Sequence, residues 1–431
     1  MNSLKLYSVK LISKCLKIIK RGGSLPGNLW LRIDPNVLKS IDYPQTIIVV
    51  TGTNGKTTTT NLIYQMMKKK YSKVICNDSG DNMLIGIASL ILDNLKGNKI
   101  NGDAMVLETD ELNLPKVLQN IPVSHIVVLN LFRDQLDRFG EIESIITKFQ
   151  NAFQDYRGYL ILNHDDPNVI RLKENHKKCY SYGVKVKSFV DEGRKEAKEG
   201  RFCPICSHQL KYKVYYYAHI GKFYCPQCNF NHDKEDFTLT YQNERIYVNQ
   251  MSFKPASTSI YSIYNYAAML TLGNLLQIDF MKLSGIIEDF KVKKGRNEHF
   301  NINGIEVILN LVKNPTGMNE VLKEIENDAS KKVICFILND YPNDGIDVSW
   351  IYDANIEYVL NETCMLFVCS GTRSHDLALR LKYSNHTVAY EIEKDVKDAI
   401  NLSINKGYKS YILSTYSNIV KVQKMLKRKS I

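Results

Sequence analysis

Apolar residues in the first half of the chain gather into short β-branched runs, each ending in a polar cluster. They are Ile47–Val50 before TGTNGKT, Val74–Ile75 before CNDSGDN, Ala104–Leu107 before ETDE, Ile126–Leu129 before NLFRDQ, and Tyr159–Leu162 before NHDDP. Helix-length stretches separate them. Continuous apolar runs alternating with helices predict strands buried on both faces of a parallel, doubly wound α/β sheet. Ligands of such sheets bind beyond the carboxyl ends of the strands. That edge collects nearly all the unusual polar residues.

The pattern returns in the second half. Glu306–Leu311 precedes VKNPTG, Val333–Leu338 precedes NDYPNDGIDVSW, and Leu366–Cys369 precedes SGTR, with Val388–Ile392 and Tyr411–Ser414 following. A second, smaller α/β domain is predicted from about Gly295 to the end. Between the two, from about Gly183 to Lys254, the texture changes to Lys, Tyr and Cys with alternating runs such as YKVYYYAHI, which predicts a small β insertion. The expected boundaries are 1–45 for a basic helix and linker, 46–295 for a central domain with its insertion at about 195–240, and 296–431 for the C-terminal domain.

With 431 residues, 44% of them hydrophobic and 24% charged, the balance is that of a soluble globular enzyme. No stretch approaches the ~18 apolar residues that would span a bilayer. The first residues, MNSLKLYSVKLISKCLKIIKRGG, lack both an apolar core and a cleavage site, so no secretory signal is read there. The net charge of +12 favours acidic partners such as nucleotides, nucleic acid, phospholipid headgroups or polyphosphates.

Val50-Thr51-Gly52-Thr53-Asn54-Gly55-Lys56-Thr57 follows an apolar run and opens a helix-like stretch. Glycines there let backbone N–H groups close around phosphates. Lys56 reaches the β/γ oxygens and the Thr57 hydroxyl can hold Mg²⁺. The general pattern has Gly where Val50 stands. Glu108, at the end of the run Ala104–Leu107, is the candidate carboxylate for the same Mg²⁺. The plainer reading of Glu108 is an acidic turn, since Asp110 and Glu111 adjoin it.

Of ten cysteines, four form two close pairs, Cys203/Cys206 and Cys225/Cys228. This C-x₂-C…C-x₂-C spacing predicts a closed Cys₄ Zn²⁺ site of structural type in a reducing cytoplasm. A redox pair, unligated thiols, or a nucleic-acid-reading ribbon with Lys211 and Lys213 are the alternatives.

These residues resemble the Mur ligase superfamily, whose members use TGTNGKTT as their ATP loop. The resemblance extends to NLFRDQLDRFGE (130–141), Asn163–Pro167, Ser181–Gly183, Tyr264–Ala268 and Gly295–Glu298. It is closer still to the MurT family, through RDQLDRFGE, the four-cysteine insertion, LVKNPTGMNEVL, NDYPNDGIDVSWIYD and SGTRSHDLALRLKY, and covers most of the chain from about residue 22. It implies a Mur ligase-like central domain with a zinc ribbon and a smaller Rossmann-like C-terminal domain. ATP contacts would come from Thr53, Asn54, Gly55, Lys56, Thr57 and Thr58, from Asn265 on the adenine side, and from the hinge residue Arg296.

The activity implied is ATP-dependent amidation of the α-carboxylate of D-glutamate in the lipid II stem peptide. The product is D-isoglutamine, formed through an acyl phosphate in peptidoglycan synthesis. Ammonia would come from a separate GatD-type glutaminase subunit, since no cysteine here sits in a recognisable nucleophile setting. Lys56 and Glu108 are the expected catalytic groups, with Asp347 at the glutaminase interface. The plainer reading of Asp347 is a turn-capping residue among Asp340, Asp344 and Asp353.

Fewer than fifty residues precede the ATP strand, which fits a substrate held on a lipid carrier rather than on UDP. The chain departs from family patterns at Ser259, Ser262, Ile346, Tyr352 and His164. Lys148 lies one residue out of register with the carbamylated lysine of many Mur ligases. The basic stretch Lys5–Arg21 has the composition of an amphipathic helix for the anionic inner membrane face, or of an ordinary packed surface helix. The rival functions are a stand-alone amino-acid ligase of folylpolyglutamate or cyanophycin type, and a non-enzymatic zinc-ribbon protein that binds nucleic acid. Neither a nucleic-acid partner nor a membrane span is expected.

Overall fold

The structure, a computed structural model, describes residues 23–77, 81–133, 142–174, 176–186, 200–232, 234–290, 297–384 and 386–430. They divide into two compact units. The first runs to Phe132 and from Ile142 to Phe290; the second starts at Asn297 and includes Arg133.

In the first unit the strands are β1 (Thr46–Thr51), β2 (Val74–Cys76), a short hairpin β3 (Leu95–Lys96) and β4 (Lys99–Ile100), β5 (Ala104–Glu108), β6 (His125–Val128), β7 (Tyr159–Asn163) and β8 (Cys179–Val186). After them come β9 (Lys211–Tyr217), β10 (Ile220–Tyr224), β11 (Phe237–Gln242), β12 (Arg245–Val248) and β13 (Met251–Phe253). The main sheet has the order β13-β12-β11-β8-β7-β6-β1-β5-β2. It is parallel from β2 through β11, and β12 and β13 add an antiparallel edge. The expected doubly wound parallel sheet is present.

The Lys- and Tyr-rich stretch proves to be two things. β11–β13 return to the main sheet, because Phe237, Leu239, Ile246, Val248 and Phe253 supply an apolar face to its core. Only β9 and β10, with the cysteine knuckles at their base, form a separate two-stranded ribbon.

Register brings the active edge together. Val50 lies opposite Glu108 on one side and Val127 on the other, so the loops after β1, β5 and β6 open at one level. The helix Lys56–Met67 leaves the first of these loops and packs against Ile260–Leu275 in the largest core cluster. At this contact a Cβ on Gly273 would stand 3.0 Å from Met66 Sδ, so a larger residue there would require the methionine to shift. Ser259 and Ser262 cap this second helix: the Ser259 hydroxyl accepts from the Ser262 N–H and donates to its hydroxyl, and Ser262 donates in turn to Ser257. The departure from the family pattern thus has a local use.

The segment before β1, expected as linker, packs on the unit. Trp30, Val37 and Leu38 are buried, and Gly27 donates its N–H to Ser89 Oγ at 2.8 Å where a Cβ would collide with the helix Leu84–Asp93.

The second unit holds β14 (Glu298–Ile302), β15 (Ile305–Leu311), β16 (Lys332–Ile337), β17 (Cys364–Ser370), β18 (Tyr390–Ile392) and β19 (Lys409–Ser414), in the order β14-β15-β19-β16-β17-β18. β14 and β15 form a hairpin whose turn, Asn303-Gly304, has φ of 53° and 84°, as a two-residue turn with both φ values positive requires. The other pairs are parallel. Apolar clusters cover both faces of the sheet. Among the described residues no helix is long and apolar enough to cross a membrane. The basic N-terminal stretch lies outside the described residues.

Candidate active site

The phosphate loop is shaped by two glycines with left-handed backbone, Gly52 (φ 123°) and Gly55 (φ 86°). A Cβ on Gly52 would lie 2.8 Å from the Asn130 carbonyl, and one on Gly55 would lie 2.6 Å from Asn265 Oδ1. Both positions therefore demand glycine for conformation and for space. Asn130, at the end of β6, grips the loop: its Oδ1 accepts from the Asn54 N–H at 2.8 Å and its Nδ2 donates to the Asn54 carbonyl at 3.0 Å. The Thr53 hydroxyl bonds to both the N–H and the carbonyl of Phe132. Thr53 and Asn54 therefore form the loop's internal scaffold.

Lys56 opens the helix and is largely buried. Its ammonium donates to the Gly52 carbonyl at 2.6 Å, the Thr53 carbonyl at 3.3 Å and Glu111 Oε2 at 3.0 Å. Glu111, read from sequence only as part of an acidic turn, is thus a buried counter-charge. Thr57 and Thr58 follow on the first helical turn, half-buried.

Glu108 ends β5 with its backbone N–H donating to Asn77 Oδ1 and its carbonyl accepting from Asn77 Nδ2. Its Oε1 accepts from Asn82 at 3.2 Å, while its Oε2 is buried with no partner among the described residues. An unsatisfied buried carboxylate oxygen at the sheet edge has the chemistry of a site for a hydrated cation. Asn265 is buried, and its Oδ1 accepts from the Thr59 hydroxyl at 3.0 Å against the root of the loop helix. Arg296 lies outside the described residues. Lys148 is exposed on the helix Ile142–Gln154.

Beside this edge stands a buried polar cluster that joins the sequence-noted segments Asn163–Pro167 and Tyr264–Ala268 to Lys222 and His232, which sequence reading missed. Asp165 accepts from Lys222 (2.9 Å), His232 (2.5 Å), Tyr264 (2.6 Å) and the Val184 N–H (2.9 Å). Burial pushes its carboxyl up, but Lys222 and His232 outweigh that and hold it at about 2. His164, 4.5 Å from the His232 ring, is brought down to about 4 by burial and then by that neighbour, so it is neutral at pH 7.

The four cysteines meet as the spacing predicts. Their sulfurs lie within 4.8 Å of one another, with Cys203–Cys228 at 3.5 Å and Cys206–Cys225 at 3.4 Å. A tetrahedron of thiolates at ~2.3 Å from Zn²⁺ has edges of about 3.8 Å, so the donor set fits that ion, and the separations are far from a ~2.05 Å disulfide.

In the second unit Asp347 is half-buried and accepts from the Ser349 N–H at 2.8 Å. That bond first, then the Ser349 side chain and the charge of Arg133, hold its carboxyl below the usual range. The neighbouring acids are committed elsewhere: Asp340 to Arg373 and Thr372, Asp344 to the Ser417 N–H, Asp353 to Arg133 at 3.4 Å. Among the described residues Asp347 is hydrogen-bonded only within its own turn, and it lines a cavity with Lys313, Ser349 and Trp350.

A phosphate loop on a doubly wound sheet, acidic neighbours on the same edge and a following α/β unit define a ligase of the Mur superfamily. Family models agree: the Mur ligase middle domain matches residues 50–223 and the MurT ligase C-terminal domain matches 311–419. A solved pseudomurein peptide ligase type C from Methanothermus fervidus has a similar fold, with a TM-score of 0.70 at 20% identity, covering 92% of this chain and 81% of that one. Two curated relatives, each named lipid II isoglutaminyl synthase (glutamine-hydrolyzing) subunit MurT, are similar over nearly their whole length. That of Staphylococcus aureus (strain N315) is 32% identical over 98% of this chain and 97% of its own. That of Streptococcus pneumoniae (strain ATCC BAA-255 / R6) is 30% identical over 96% and 95%. The chain belongs to the MurT family and is a ligase.

Proposed function

We propose that this chain amidates the α-carboxylate of D-glutamate in the lipid II stem peptide, consuming ATP and using ammonia released by a GatD-type glutaminase subunit. The observation that carries this reading is the near full-length similarity to named MurT subunits, with Lys56, Thr57 and Glu108 sharing one sheet edge.

In this reading the loop N–H groups and the helix N-terminus cradle the phosphates, and Lys56 neutralises charge that develops as the γ-phosphoryl moves to the carboxylate. Glu111 keeps the Lys56 ammonium within the loop. Thr57 and Glu108 would hold Mg²⁺, which when bound screens the β- and γ-oxygens. Thr53, Asn54 and Gly55 give the loop its shape, Thr58 extends the helix N-terminus beneath the phosphates, and Asn265 fixes the loop from the adenine-side helix. Arg296 is the proposed hinge contact. The acyl phosphate is attacked by ammonia, giving the carboxamide, ADP and phosphate. Asp347 would orient the His of the glutaminase partner. Work on a lipid-borne substrate implies a cytoplasmic enzyme active at the inner membrane face.

The test is co-purification with the glutaminase subunit and a mass-spectrometric assay on lipid II. Amidated product that requires both ATP and glutamine is expected; amidation without ATP, or none with both present, overturns the reading.

The cysteine cluster would hold one structural Zn²⁺. Wild-type protein should contain one zinc per chain by elemental analysis. Cys225→Ser should contain almost none and lose several kcal/mol of stability in denaturant titrations, since metal binding is coupled to folding of so small a ribbon. Full zinc content in that variant would sink the assignment.

A further inference from the structure

The ribbon that carries the cysteines also reaches back to the phosphate loop. At the far end of the β9–β10 hairpin, after Ala218 with φ of 43°, His219 is turned fully inward. Its Nε2 lies 3.2 Å from Asp166 Oδ1, and its ring centroid is 4.7 Å from that of Phe132. Tyr212 pins the turn by donating to the His219 carbonyl, and the Gly221 N–H donates to the Asp165 carbonyl at 2.9 Å.

Asp166 is a pivot between the ribbon and the nucleotide edge. Its Oδ1 caps the short helix Pro167–Ile170 and meets His219. Its Oδ2 accepts from the Leu131 N–H at 2.9 Å. Leu131 belongs to the segment 130–132, which clamps Thr53 and Asn54 through Asn130 and Phe132. An unbroken run of buried bonds and ring contact therefore joins hairpin tip to phosphate loop: His219, then Asp166 and Phe132, then Thr53 and Asn54.

We propose that the cysteine ribbon is a strut for the phosphate loop and that His219 is its positioning residue, so that metal loading of the ribbon sets the affinity of the loop for nucleotide. A zinc ribbon that served only its own stability would have no need to bury a histidine against the segment that grips the loop. Loop N–H groups bind phosphates well only when held in advance, and the second layer of contacts does the holding. The inference rests on the reading of the loop as an ATP site.

The test measures Mg·ATP binding calorimetrically, with the chain in complex with its glutaminase subunit. His219→Ala should bind about tenfold more weakly, the scale of one charge-assisted hydrogen bond. His219→Gln, which can still donate to Asp166, should recover much of that, which a loss of general packing would not. Amide exchange at Thr53, Asn54 and Leu131 should quicken in His219→Ala while that of β12 and β13 stays as in wild type. Lys213→Ala, an exposed change on the same hairpin, should bind as wild type does.

Stripping the metal from wild-type protein with a chelator should weaken ATP binding, and returning Zn²⁺ should restore it. Should His219→Ala not fold, this metal arm decides. Equal ATP affinity in wild type, His219→Ala and stripped protein overturns the strut. If wild type itself does not bind ATP, the nucleotide reading fails, and the strut falls with it.

Discussion

Lys56→Ala is expected to lower the ATP-dependent amidation rate by about 10³-fold, the range seen when one preorganised charge is removed from a transferring group. The ammonium has one job in the resting protein and another in the reaction. At rest it is shared by two loop carbonyls and Glu111. In the proposed reaction it would face the β/γ oxygens.

The substitution therefore also removes a cationic partner from a buried carboxylate, and weaker compensation of a buried charge is destabilising. The two effects separate in a double variant. Lys56→Ala/Glu111→Gln should regain most of the lost thermal stability and none of the activity. Should Glu111→Gln restore amidation along with stability, Lys56 would be a fold residue rather than a phosphate ligand.

Much of this architecture is legible in the chain because its signals are local. The β-branched runs announce buried parallel strands; Asn303-Gly304 and Asn314-Pro315, passed over in the sequence reading, carry equally local signals for a hairpin and a helix start. The Asn314 side chain does accept from the Gly317 N–H, with Pro315 in the first turn where its missing donor costs nothing. The cysteine spacing states its own geometry.

What escapes the sequence is pairing across the sheet edge. Glu111 reads as one acid in ETDE, yet burial beside Lys56 gives it a specific partner. Asn130 reads as a polar residue after a strand, yet parallel register carries it to the loop 76 positions away. His219 sits in a tyrosine-rich alternating run, where a buried histidine looks like any other core ring. Each depends on register between strands distant in sequence, which no local pattern encodes. The Tyr-rich insertion misleads for the related reason that β11–β13 carry the same alternation as a free ribbon but find the edge of the main sheet.

Asp347→Asn is expected to lower glutamine-supported amidation by about 10⁴-fold while leaving ATP affinity and ammonia-supported amidation near wild type. The magnitude follows what loss of the orienting carboxylate does to a nucleophile–His–Asp array. The substitution is nearly isosteric, and an asparagine Oδ1 can still accept the Ser349 N–H, so the turn before the helix Ser349–Tyr352 should hold. Only the negative charge is lost.

A purely structural Asp347 would therefore give a variant indistinguishable from wild type by either route. A carboxylate that orients a partner's imidazole would give one that is silent with glutamine and active when ammonium salt is supplied at raised pH, where free ammonia is more abundant. Loss of both routes together with ATP binding would move Asp347 from the ammonia-supplying interface to the ligase reaction itself. The comparison of nitrogen donors, run on one preparation of the two-subunit enzyme, separates the three cases.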